Sequence, residues 1–167
     1  MVAMSYYKGS TNTVRLNTWN TDGGGSLSDG QSATATYDLG SGFNYVVMTH
    51  NHDDSAKLYI NNNLIITIDL SSTNGSSTSY QFSLGQHNDN MLLSVIEAAV
   101  FNSEFNSTQV SEAYNSGKYF DLRTHSLASS LKHYWVFGTN TDDVFNNNGT
   151  GSVMTSTVND IANSDNS

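Results

Sequence analysis

Between residues 44 and 70 apolar and polar positions alternate in three short runs, 44–50, 57–60 and 64–70. Period two is the side-chain repeat of a strand with one buried face, so the runs predict three strands. The linkers hold His52, Asp53, Asp54 and Ser55, then Asn61, Asn62 and Asn63. Asn and Asp bond their own backbone and tolerate positive φ, which makes both linkers turns and the three runs a meander. Two more strands are predicted at 80–86 and 91–101, the second with alternate side chains buried and the rest partly exposed. The period then changes. Val110, Ala113 and Tyr114 stand at helical spacing, Asn106 or Ser107 can cap a helix there, and Gly117 can end it. That helix, 107–116, places the Tyr114 ring against the sheet and Glu112 toward water.

Ahead of the meander the pattern is weaker. A strand is predicted at 12–19 with Val14, Leu16 and Thr18 on one face, a Gly-rich loop at 22–30, and another strand at 32–39. Beyond the helix come a second short helix at 126–131, a buried strand at 133–138 with Trp135 in the core, and a last strand at 152–158. Residues 159–167 are expected to fray. The sum is an all-β fold, an antiparallel β-sandwich with one or two short helices. At 167 residues it is most simply one domain, 1–167, large enough for a real core.

Composition narrows the partners. Net charge is −9, and the six basic residues Lys8, Arg15, Lys57, Lys118, Arg123 and Lys132 are scattered. No basic stripe neutralises phosphates, which argues against nucleic acid and against an anionic membrane surface. The chain has no cysteine, which removes disulfides, thiolate metal sites and thiol nucleophiles together. The first residues lack the charged and apolar regions of a secretory signal.

Candidate chemistry gathers in three places. His50 and His52 share a strand face at i, i+2, as two imidazoles on a transition metal would, although the same stretch reads as the polar end of a hairpin. Asp53, Asp54 and Asp89 with loop carbonyls offer hard oxygen ligands, which suit calcium better. A carbohydrate platform needs aromatic faces with amides and carboxylates beside them. Trp19, Tyr80, His87, Asn88 and Asp89, joined by Tyr6, Tyr7 and Asn90, could furnish one, and the same aromatics also read as packing residues.

The order of these segments resembles a known family. A strand with Val46, Val47, Met48 and Thr49 is followed by the hairpin Leu58, Tyr59, Ile60, Asn61 and Asn62, then by Phe82, Ser83, Leu84 and Gly85. A strand through Val95 to Asn102 and the helix before Gly117 complete the series, about half of the chain, 43–122. This resembles the laminin-G-like, concanavalin A-like lectin/glucanase jelly roll. The run Tyr114 to Arg123, with Tyr134, Trp135, Phe137 and Gly138 after it, is similar to versions of the domain in bacteriophage virion proteins. The resemblance implies a jelly roll and a non-enzymatic virion role: capsid decoration, cement or a tail-associated accessory. Its partners would be other virion proteins, copies of itself or surface glycans, and its location the virion, assembled in the host cytoplasm. The alternative it implies is a carbohydrate-binding module of a larger secreted or tail protein. Glucanases of this fold carry a Glu-x-Asp-x-x-Glu strand, whereas Glu97 is followed by Ala98, Ala99, Val100 and Phe101, so no catalytic residue is assigned. No cofactor is implied beyond the calcium candidate. The opening strands of such a domain look too few ahead of Phe43, so the segment after Thr124 or a partner chain is expected to supply more. Lys57 is the only cation in the meander, so little charge guards its edges against pairing.

Overall fold

The computed structural model describes residues 2–7, 10–18, 31–51, 54–71 and 95–136. Within them the chain is mostly β, with eight strands in antiparallel sheets and one α-helix. It divides into two compact units, 1–90 with 104–121, and 91–103 with 122–167.

The first unit holds two three-stranded sheets. One is β1 (Val2–Tyr7), β2 (Thr13–Thr18) and β3 (Ser32–Thr36) in that order; the other is the predicted meander, β4 (Val46–His50), β5 (Ser55–Ile60) and β6 (Asn63–Asp69). In β2 the alternation is clean: Val14, Leu16 and Thr18 are buried and the residues between them half-buried. Pairing sets Tyr6 beside Val14, Met4 beside Leu16, and Ala33 and Ala35 on the far side. These side chains join Ala56, Leu58 and Ile60 of β5 and Ile66 and Ile68 of β6 in one hydrophobic cluster. β1 lies against β4, β2 against β5 and β3 against β6.

Local chemistry fixes the meander. Asn61 and Asn62 both have positive φ, 49° and 67°, the geometry a tight hairpin between right-twisted strands requires. Asn61 does more than turn. Its Oδ1 accepts from the Tyr45 amide at 2.9 Å, its amide donates to the Tyr45 carbonyl at 2.9 Å, and its Nδ2 donates to Asn44 Oδ1 at 2.8 Å. Asn44 Nδ2 in turn donates to the Leu39 carbonyl at 2.8 Å. With both residues committed to this side-chain lattice, β4 begins at Val46 rather than at residue 44.

Helix α1 (Ser107–Tyr114) is capped by Asn106, whose side chain accepts from the Gln109 amide while the Gln109 side chain accepts from the Asn106 amide. It ends earlier than Gly117: Asn115 takes the left-handed conformation at φ 45°, and Ser116 follows at 56°. Val110 and Ala113 are its buried residues. Tyr114 and Glu112 are both half-buried, so the tyrosine ring is less enclosed, and the glutamate less solvated, than the spacing suggests.

Three sequence expectations change. Residues 2–7 form a strand, so three strands precede Phe43, one more than the sequence pattern predicts. In the second unit, β7 (Glu97–Phe101) pairs with β8 (Leu131–Val136), so the described part of the segment after Thr124 pairs with β7. Every residue of β7 is half-buried, with no alternation, because both of its faces are partly covered. The predicted second helix shrinks to a single 3₁₀ turn, Ala128–Ser130; two further 3₁₀ turns occur at 115–117 and 122–124. Trp135 is buried in β8 next to buried Tyr134, as a core strand requires. The strand predictions at 80–86 and 152–158, residues 91–94 of the strand at 91–101, the 22–30 loop and the 159–167 tail lie outside the described residues.

Candidate functional site

Strand register puts Val46, Met48 and His50 of β4 opposite Ile60, Leu58 and Ala56 of β5, on the side that faces the shared core. Ile60 and Leu58 are 0% exposed, yet Val46 is 39% and Met48 38% exposed. On the opposite flank, where β3 lies against β6, Ile66 and Ile68 are 5% exposed. The core-facing side chains of β4 are therefore more exposed than those of β6. Both β1 and β4 are terminal strands of their sheets among the described residues. Neither carries an Asp, Glu, Lys or Arg. A terminal strand leaves a row of backbone amides and carbonyls without ladder partners, and charge is the usual device that blocks foreign pairing. Among the described residues β1 and β4 are thus terminal strands without such a block, and β4 has partly exposed apolar side chains.

The outer face of β4–β5 is occupied differently. Thr49 and Tyr59 are buried there with Lys57 between them. Glu104 Oε1 accepts from Lys57 Nζ at 3.1 Å and from Thr49 Oγ1 at 3.5 Å. Asn62 Nδ2 reaches Ser111 Oγ at 3.4 Å, and the Tyr45 and Tyr114 rings lie 6.3 Å apart, tilted. These contacts carry residues 104–114 across the sheet. The hydrogen bond to Glu104 raises the Lys57 pKa above its ordinary value, against the opposing effect of burial. The arrangement is a clasp between strand and helix leader, with its charges spent on each other.

Few of the residues singled out in the sequence come together. Trp19, Tyr80, His87, Asn88, Asp89, Asn90, His52 and Asp53 lie outside the described residues. Asp54 is exposed, and its Oδ2 accepts from Ser55 Oγ at 2.9 Å. Among the described residues no group of three or more His, Cys, Asp or Glu stands close enough to hold a metal. Tyr6 packs half-buried against the core cluster, and Tyr7 is exposed beside it. Glu97 accepts from the Tyr134 hydroxyl at 2.8 Å, and register places Val136 opposite it. That is a carboxylate anchoring a buried phenol. The scarcity of charge at the meander's edges is legible in sequence, whereas strand β1 is not among the predicted strands, although Val2, Met4 and Tyr6 alternate. Comparison with protein-family models, with curated proteins and with solved structures finds no significant match.

Proposed function

We propose that this chain is a non-catalytic association module, a structural component of a bacteriophage virion such as a capsid decoration, cement or tail-associated protein, with a laminin-G-like jelly-roll sandwich. The observation that carries the reading is that β1 and β4, terminal strands of their sheets among the described residues, hold no Asp, Glu, Lys or Arg, which suits a protein that works by strand-edge contact. The sequence resemblance through Tyr114 to Arg123 and Tyr134 to Gly138 supplies the virion context. Its partners are other virion proteins or further copies, with neither nucleic acid nor membrane. Mass spectrometry of purified particles of the virus encoding the chain tests it: the protein is expected at a fixed copy number, and its absence would overturn the reading.

A second reading is a lectin-like module. Phe43 is 70% exposed, an aromatic face of the kind that stacks on a sugar ring. A glycan array decides it: a hit that Phe43→Ala abolishes supports the module, and a blank array removes it.

A further inference from the structure

We infer that the face of the β1–β2–β3 sheet turned away from the core binds an acidic sugar, a uronate or sialate, whose carboxylate is held by Arg15. The inference rests on the lectin-like reading above and gives it a ligand class, without calling on Phe43.

Alternation along β2 sends Val14 and Leu16 into the core and Thr13, Arg15 and Asn17 to the opposite face. Arg15 stands at the middle of that face, on the central strand, with Ser5 and Thr34 directly beside it in register. It is half-buried, and Nη2 donates to Ser32 Oγ at 2.9 Å. Its Nε–H is buried and has no acceptor. Among the described residues no carboxylate pairs with it. The positions that share its face, 3, 5, 7, 13, 17, 32, 34 and 36, hold neither Asp nor Glu. A guanidinium carries five donors, and a partly buried cation resting on one neutral hydroxyl leaves much of its electrostatic demand unmet. Lys57 on the other sheet meets the same demand with Glu104. In a chain of fifteen acidic and six basic residues, an arginine without a carboxylate points to an anion from outside.

The surroundings name the class of anion. The guanidinium fork matches a carboxylate through two parallel N–H···O bonds. Ser5, Thr13 and Thr34 add hydroxyls and Asn17 an amide, groups that exchange hydrogen bonds with sugar hydroxyls. Tyr7, 51% exposed on the same face, offers an aromatic ring. Three strands by five residues make a face of roughly 10 by 13 Å, the footprint of one or two sugar rings. Net charge selects against the rival anions. At −9 the chain repels every phosphate of a nucleic acid or sulfate of a polysulfate, whereas a sugar carboxylate brings one charge to one guanidinium.

The test follows the arginine Nε–H resonances of the full ¹⁵N-labelled chain by NMR. Arg15 and Arg123 are its only arginines, so two resonances are expected, and Arg15→Gln identifies the one of interest. Should that variant not fold, Arg123→Lys identifies it by elimination. The probes are glucuronate, N-acetylneuraminate, glucose and acetate. The Arg15 resonance should move saturably with one of the two acidic sugars and stay still with glucose. Arg15→Gln should weaken that binding about ten- to a hundredfold, with Arg15→Lys, which keeps the charge and loses the fork, in between. A resonance that no acidic sugar moves, as when a carboxylate of the chain itself already holds the guanidinium, overturns the inference. So does one that acetate moves as far as the sugars do, which would mark an adventitious ion only. Neutral-glycan binding that Phe43→Ala abolishes and Arg15→Gln leaves intact overturns the inference while the lectin-like reading stands. Acidic-sugar binding that Arg15→Gln abolishes and Phe43→Ala leaves intact supports the inference and removes Phe43 from the site.

Discussion

Lys57 sits at the middle of β5 with its ammonium on Glu104, forty-seven residues away in sequence. Both side chains are 26% exposed, so water screens part of the attraction and the coupling is worth about 0.2–1 kcal/mol. A double-mutant cycle of Lys57→Met and Glu104→Gln, read by denaturant midpoint, should return a coupling in that range; a value of zero would mean that the clasp holds by packing alone. Its pH dependence has a definite sign. A raised lysine pKa contributes stability that is fully present below the ordinary value of 10.5 and is lost as pH climbs through the folded value. Asp69 behaves oppositely: hydrogen bonds from Ser71 lower its pKa, so its contribution is present above 3.8 and fades as acid protonates the folded carboxylate. An NMR titration should place the Asp69 carboxyl midpoint below 3.8, and Ser71→Ala should move it upward. Nothing in the sequence announces the Lys57–Glu104 pair, because no local pattern links such distant positions. The Asn61–Asn62 turn was legible, because it depends on two adjacent residues that tolerate positive φ. Asn62→Val should therefore cost roughly 1–2 kcal/mol, measured by thermal unfolding, whereas Asn62→Gly should cost far less.

At the scale of elements, legibility followed the strength of the local code. The meander and α1 were readable because alternation, turn chemistry and capping all agree over 46–69 and 106–114. β1 was not, since its alternating Val2, Met4 and Tyr6 stand where targeting signals are usually sought, and their meaning depends on pairing with Leu16 and Val14. β7 failed differently. The predicted alternation of buried and exposed side chains has no counterpart in burial, and after Glu97 its residues Ala98, Ala99, Val100 and Phe101 are all apolar, so no polar face marks an outside. For α1 the cap is the testable part. Asn106→Ala removes the acceptor for the Gln109 amide and should cost about 1 kcal/mol, with Asn106→Asp or Asn106→Ser restoring most of it. Tyr114→Ala should cost less than the roughly 3–5 kcal/mol of a fully enclosed ring, because Tyr114 is only half-buried. A loss inside that range would mean that the ring is held more tightly than its exposure indicates.

For the whole molecule, the candidate chemistry of the sequence falls largely on the long Ser, Thr and Asn stretches. Trp19, Tyr80 and Asp89 are named from residue type alone, because turn propensity in a sequence does not say which side chains meet, and all three lie outside the described residues. The exposure of β4 emerges instead from comparing residues that the sequence treats alike. Val46, Met48, Ile66 and Ile68 are all core-facing apolar residues, and only their places in the two sheets distinguish them. That shared core also sets how the first unit should come apart. Leu58 is fully buried at the centre of the cluster, between β4 and β6 and beneath β2. Leu58→Ala should cost about 2–5 kcal/mol. Because Val14 and Leu16 of the other sheet pack in the same cluster, the loss should spread beyond the meander. Hydrogen exchange followed by mass spectrometry should then show faster opening in peptides from β1–β3 as well as from β4–β6, in equal measure at the core strands. If β4–β6 loosen while β1–β3 keep their original protection, the two sheets are separate cooperative units that merely touch, and the shared cluster does not couple them.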